Sequence, residues 1–217
     1  MTDRGAIARW RAGDPLEPLI ATLARGGLLA IPTESSYALA VDPRDAAGVE
    51  AVFRLKGRDR GKPLPVVAAD RGQILALGVA PGEPALAWAA ARWPAALAVV
   101  LAVAEPLPAS GGERSIAVRI PDHAALCELL ARLGRPLTAT SANPSGSQPY
   151  LDPDELAAWL AGAGADAAVV DGGLLPGGSP STLVAWGAAG VEVLRRGRVE
   201  LGQGEIEAAA VATEPGR

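Results

Sequence analysis

Leu28-Leu29-Ala30-Ile31-Pro32-Thr33-Glu34-Ser35-Ser36-Tyr37-Ala38-Leu39-Ala40-Val41 holds two short apolar runs separated by a polar stretch. Each run is too short for an amphipathic helix and reads as a buried strand, over 28–31 and 37–41, the first stopped by Pro32. Upstream, Leu16, Leu19, Ile20 and Leu23 repeat at helical spacing. Asp14-Pro15 reads as the N-cap and first position of that helix, and Gly26-Gly27 as its end. Downstream, 46–55 puts Val49, Val52 and Phe53 on one helical face. Helix, strand, strand and helix in succession begin an α/β chain.

The same reading continues to the C-terminus. Strands are expected at 64–69, 96–103, 116–120, 137–140, 167–170, 182–186 and 191–194. Helices are expected at 73–77, 84–93, 123–133 (capped by Asp122 and ended by Gly134), and from Asp152 to Leu160. No repeat or linker divides the chain. The expected fold is α/β, a single-domain twisted mixed sheet flanked by helices over 1–217, with an Ala/Glu-rich tail at 203–217 that frays.

Composition narrows the chemistry. The chain has 217 residues, 49% apolar, a net charge of −4, one Cys and one His. One Cys makes no internal disulfide, and one Cys with one His cannot build a Cys/His zinc site. A lone His also gives no support to a Ser-His-Asp or Cys-His nucleophile. His123 reads as a helix-cap residue and Cys127 as core. An acidic chain with one Phe and two Tyr does not suit a general nucleic-acid clamp or stacking platform. Residues 1–5 lead into no long apolar run, and no stretch of 18 apolar residues suggests a membrane span, so a cytoplasmic protein with no membrane contact is expected.

Four polar segments sit at strand ends. Thr33, Ser35, Ser36 and Tyr37 can bind a small polar ligand or form a plain polar turn. In 54–63, a cation stands at every second position from Arg54 to Lys62, including both lysines of the chain, Lys56 and Lys62. On extended backbone these would share one face and call for an anion such as a triphosphate. A solvated charge run is the alternative, and the segment lacks the Walker pattern. In 115–121, Ser115, Ala117 and Arg119 share a strand face. An inward arginine needs a partner, either a substrate carboxylate or a structural Asp. In 138–146, Thr140, Ser141, Asn143 and Ser145 follow a strand, where α/β sheets gather ligands, or form a structural turn.

Taken together and in order, these segments resemble the YrdC-like family of threonylcarbamoyl-AMP synthases. Its Pro-Thr-x-Thr-x-Tyr-Gly-Leu is similar to 32–39, its Lys-x-Arg to Lys56-Gly57-Arg58, and its Val-Arg-x-Pro to 118–121. Its Ser-x-Asn is similar to Ser141-Ala142-Asn143, and its closing Ser-Thr-Val-Val and Leu-Arg-x-Gly to 181–184 and 194–197. The likeness runs from about 16 to 199. It implies a short, single-domain form with a concave basic cleft, converting L-threonine, bicarbonate and ATP into threonylcarbamoyl-AMP and pyrophosphate. Magnesium would be carried by the ATP phosphates, with no metal ligand from protein side chains. The product would pass to a transfer machinery that modifies adenosine 37 of tRNA, with weak tRNA contact.

By the same resemblance, Lys56, Arg58, Ser141 and Asn143 are catalytic, and Thr33, Ser35, Arg119, Thr140 and Ser181 bind threonine. Arg58, Lys62, Ser115, Ala142 (through its backbone), Asn143, Tyr150 and Arg195 bind ATP. Ser35, Ala38, Val67 and Arg196 depart from the family's usual threonine, glycine, histidine and proline. A carbamoyl-adenylate-forming relative, or an RNA-binding or inactive paralogue of the same fold, is the alternative.

Overall fold

The computed structural model describes residues 7–187 and 190–202. Its strands are β1 (Ala8–Trp10), β2 (Leu28–Pro32), β3 (Tyr37–Ala40), β4 (Val66–Val67), β5 (Leu97–Ala102), β6 (Ser115–Arg119), β7 (Leu137–Thr138), β8 (Thr140–Ser141), β9 (Ala167–Val170), β10 (Thr182–Gly187) and β11 (Gly190–Arg195). Its helices are α1 (Glu17–Ala24), α2 (Ala46–Lys56), α3 (Arg71–Ala76), α4 (Pro84–Ala90), α5 (Ala124–Leu133) and α6 (Pro153–Gly162). None of these helices is long and apolar enough to cross a membrane.

The mixed α/β class is as expected, and the strands divide into two sheets. One has the order β1-β9-β2-β3-β8, the other β11-β10-β5-β6-β4-β7. In the first, β9 runs parallel to both β1 and β2, while β2 pairs with β3 as an antiparallel hairpin, Pro32 opposite Tyr37. All five residues of β2 and all four of β3 are buried, because both faces of this sheet are covered. That is why the two runs read as continuous rather than alternating apolar sequence. One face meets α1 and α5 through Leu19, Leu23, Leu126, Leu129 and Leu130. The other meets the second sheet and α2 through Val49, Val52, Leu97, Val99 and Val118. Each such side chain contributes about 1.5–3 kcal/mol by leaving water, so the core outweighs any single polar contact.

The sheets meet in the segment 137–141. Leu137 and Thr138 pair with β4 in one sheet, and Thr140 and Ser141 pair with β3 in the other. Ala139 sits at the crossing, its N–H donating to the Pro65 carbonyl at 2.7 Å. A cleft opens between the sheets beside this crossing, bounded by the β2–β3 turn on one side and by β6 and β11 on the other.

Several local expectations are corrected. The first helix begins at Glu17, with Leu16 as its N-cap and no side-chain cap. The Asp14 carboxylate instead accepts the Arg11 N–H at 2.8 Å and closes the preceding turn. His123, not Asp122, caps α5, its Nδ1 accepting the Leu126 N–H at 3.1 Å. The strand expected at 64–69 contracts to two residues, and β1 lies where no strand was expected, being too short for a periodic signal. The tail at 203–217 lies outside the described residues.

Candidate active site

Two chambers share this cleft. The first, about 190 Å³, is polar and is lined by Thr33, Ser35, Arg119, Thr140, Ser141 and Ser181, among others. The second, about 310 Å³, is apolar, lined by Pro63, Val100, Ile116, Ala117 and Leu183 with Ser115 at its wall. Arg58, Pro65, Ala98 and Arg195 line both, so the two arginines stand where the chambers join.

Local sequence explains the placement. The 33–36 turn is closed by Ser36, whose carbonyl accepts the Thr33 N–H at 3.2 Å and the Thr33 hydroxyl at 2.7 Å. Beneath it, the Tyr37 phenol is fully buried, donating to the Gly173 carbonyl at 2.8 Å and accepting the Gly172 N–H at 3.0 Å. Tyr37 therefore anchors the turn rather than offering its hydroxyl to a ligand. Ser181 and Arg195 come together through Gly197. A Cβ there would overlap the Pro180 carbonyl oxygen and lie 2.5 Å from the Thr182 nitrogen, so only glycine lets the two segments approach. Arg195 then donates to the Ser181 carbonyl from Nη2 at 2.8 Å.

The expected row of five cations on one face does not form. Helix α2 continues through Lys56, and Gly57 ends it at φ +59°. The backbone turns there instead of extending, which removes the period of two. Arg60 leaves the row to pair with Glu50, and Arg54 lies elsewhere, beside Asp166 and Leu55. Lys62 is exposed on the loop and is absent from both chamber walls. Arg58 alone turns into the cleft, its guanidinium donating to the Pro63 carbonyl at 3.2 Å.

Lys56 and Asn143 lie behind the wall, not on it. Lys56 is only 4% exposed. Its ammonium donates to the Ser141 carbonyl and to the Asn143 carbonyl and Oδ1 at 2.9 and 3.0 Å. Burial, and then the Arg58 charge, pull this ammonium down to about 8. Ala142 is fully buried with its N–H donated to the Tyr37 carbonyl at 2.8 Å, so that N–H is committed within the fold. Tyr150 stacks on Trp159 at 5.3 Å and is not among the residues lining either chamber. Val67 packs in the core behind the five-stranded sheet, while its neighbour Val66 faces the polar chamber.

The charges facing the cleft are mostly cationic. Burial lowers the Arg58 guanidinium below its ordinary value; Asp59 opposes this and Arg195 adds to it. Desolvation against the cleft wall, then the Arg119 charge, lower Arg195. Arg119 is 9% exposed and pairs with Glu34, a partner the sequence reading did not single out. The signal for it was an acid in a hydroxyl-rich turn of a chain with an inward-facing arginine. Arg198 is a second residue missed: its Nη1 donates to the Glu34 carbonyl at 3.0 Å and braces the turn.

The Sua5/YciO/YrdC family model, described as "Telomere recombination", matches residues 21–197. The chain belongs to this family. Every residue named above as lining either chamber falls inside the matched span. Among curated relatives, the threonylcarbamoyl-AMP synthase of Thiobacillus denitrificans is 38% identical over 169 residues, covering 76% of this chain and 88% of that one. That of Chromohalobacter salexigens is 33% identical over 181 residues, covering 78% and 91%. Among solved structures, P. abyssi Sua5 complexed with L-threonine superposes with a TM-score of 0.74 at 30% identity, covering 89% of this chain. This chain spans 58% of the length of that protein. E. coli YciO shares the fold, with a TM-score of 0.71 at 24% identity, covering 88% of this chain and 95% of the other.

Proposed function

We propose that this chain is a threonylcarbamoyl-AMP synthase, joining L-threonine, bicarbonate and ATP into threonylcarbamoyl-AMP with release of pyrophosphate. The observation that carries this is the junction of a small polar chamber and an apolar one at Arg58 and Arg195. Curated relatives of this name, at up to 38% identity among those described, support it.

The polar chamber suits an amino acid. Arg119 offers its guanidinium to the threonine carboxylate, and the hydroxyls of Thr33, Ser35, Thr140 and Ser181 surround the side chain and the carbamate. The apolar chamber suits a nucleobase, with Ser115 beside the ribose. The triphosphate then crosses the junction between Arg58 and Arg195, and Lys62 reaches it from the loop. The threonine amine forms a C–N bond to the bicarbonate carbon with loss of water, giving a carbamate anion. Its oxygen attacks the α-phosphorus, the bond to pyrophosphate breaks, and the guanidiniums stabilise the charge on the phosphoryl oxygens and on the leaving group. Two anions approach because cations separate them, and positioning supplies most of the rate. No protein nucleophile is needed.

Lys56 and Asn143 hold the wall that presents Ser141, and Ala142 and Tyr150 support it through the backbone. Magnesium would be carried by the ATP phosphates and would neutralise charge on their oxygens there. The product supplies a transfer machinery that modifies adenosine 37 of tRNA.

Pyrophosphate release from ATP and magnesium, with threonine and bicarbonate omitted in turn, tests the reading. Release should need both, and the adenylate mass should appear. Release supported by carbamoyl phosphate instead of threonine would replace this reading with a carbamoyl-adenylate-forming one.

A further inference from the structure

The Glu34–Arg119 ion pair spans the cleft between the two sheets. Glu34 belongs to the turn after β2, Arg119 to the end of β6, and their side chains are only 11% and 10% exposed. The pair is directional: Arg119 lines the polar chamber, whereas Glu34 is not part of its wall. Glu34 Oε1 accepts from Arg119 Nη1 and also from the Asp122 N–H at 3.1 Å, so the carboxylate is fixed from two sides. Its backbone is fixed as well. Arg198 donates to the Glu34 carbonyl at 3.0 Å, and the Gly177 N–H to the Ser35 carbonyl at 2.8 Å.

We infer that Glu34 is a positioning residue for amino-acid recognition, holding the Arg119 guanidinium with one edge occupied and its remaining N–H groups toward the chamber. The inference rests on the synthase reading for the identity of the ligand, but the geometry it invokes exists without one. A guanidinium is a planar fork, and two-point recognition of a carboxylate requires that plane to be set beforehand. Arg119 also shares the cleft with Arg58 and Arg195. Without a fixed anion behind it, repulsion would turn it away or leave it to a mobile counter-ion. Burial works against the Glu34 charge, but the hydrogen bond and charge of Arg119 overcome this and hold the carboxyl below its ordinary range. It therefore stays ionised at neutral pH.

Two readouts on the full chain test this, using the Glu34→Ala and Glu34→Gln variants. The first needs no substrate: in the ¹⁵N NMR spectrum of the arginine side chains, hindered rotation of the Arg119 Nη groups should be seen in the wild type, lost in Glu34→Ala and partly kept in Glu34→Gln. The second is steady-state pyrophosphate release. Glu34→Ala should raise the threonine KM by about ten-fold or more while the ATP KM stays within about two-fold, with Glu34→Gln between. Free rotation in the wild type overturns the inference. So does an unchanged threonine KM, or an equal rise of both KM values with a lower melting temperature, since Glu34 would then merely staple the sheets. A wild type with hindered Arg119 but no threonine-dependent turnover would sink the synthase reading and leave the positioning role standing for another carboxylate.

Discussion

Lys56 and Asn143 are joined twice, the ammonium donating to the Asn143 backbone carbonyl at 2.9 Å and to its Oδ1 at 3.0 Å. The third ammonium hydrogen goes to the Ser141 carbonyl. Asn143 Oδ1 also accepts the Ser141 hydroxyl at 2.7 Å, and Nδ2 donates to the Pro144 and Ser147 carbonyls at 2.9 and 2.7 Å. One buried cation thus organises the wall that faces the ligand. Lys56→Met would take the ammonium from all three acceptors, leaving Asn143 Oδ1 only its Ser141 hydroxyl, and should destabilise the chain by about 2–4 kcal/mol, the range for lost charge-assisted bonds at a buried site. Urea unfolding at pH 7 measures it. Pyrophosphate release should fall sharply even though Lys56 touches neither chamber. A variant of full stability would mean that the wall does not depend on this lysine.

The same residue carries a pH dependence. With its ammonium pulled from 10.5 in the ordinary case to about 8 by burial and Arg58, the folded chain releases this proton before the unfolded chain does. Between about pH 8 and 10.5 the unfolded chain binds more protons, so this group's contribution to stability rises with pH, by at most about 1.4 kcal/mol per unit. Below pH 8 the contribution is flat, because both states are protonated. The stability gap between wild type and Lys56→Met should therefore widen from pH 7.5 to 10. A constant gap across that range would show that Lys56 titrates like an exposed lysine.

What the sequence disclosed and what it hid can be traced to particular residues. The apolar runs 28–31 and 37–41 announced β2 and β3, because strands buried on both faces leave little ambiguity. Thr33, Ser35, Thr140 and Ser181, to which the resemblance gave a threonine-binding role, line one chamber. The division into two sheets was not legible. It turns on β7 and β8, two residues each, which pair with different sheets and carry no periodicity. The cation row failed at Gly57, where a left-handed cap replaced the extended backbone that the alternation presumed. Glu34 escaped notice since ion pairs between distant segments leave no local pattern, here 85 residues apart.

Arg58 and Arg195 stand at the junction of the chambers, and neither is tied to a carboxylate in the contacts described above. Arg58 donates to the Pro63 and Lys62 carbonyls, and Arg195 to the Ser181 carbonyl and, at 3.4 Å, to the Ser181 hydroxyl. Removing either should leave the fold intact while weakening triphosphate binding. We expect Arg58→Ala and Arg195→Ala each to lower kcat/KM for ATP by about 100-fold, with melting temperatures within about 2 °C of wild type. The double variant should lose less than the product of the two, because both cations act on one ligand. An unchanged ATP KM in Arg58→Ala would remove the triphosphate from this junction.

Ala117 separates the two chambers experimentally. It lies on β6 between the buried Ile116 and Val118, opposite Val100, and its side chain borders the apolar chamber alone. Ala117→Leu should project three carbons into space meant for the nucleobase, while the backbone ladder, which the side chain does not enter, stays as it is. Stability should hold or rise slightly, since the added methyl groups meet Val100 and Leu183. The ATP KM should rise by about ten-fold or more, because the excluded base forfeits its apolar contacts. Threonine binding measured by calorimetry without ATP should not change, as Arg119 and the hydroxyl wall lie on the other side of Ala98 and Pro65. A variant that binds ATP as well as wild type does would place the base outside this chamber; one that loses threonine and ATP together would mean the two chambers act as a single site.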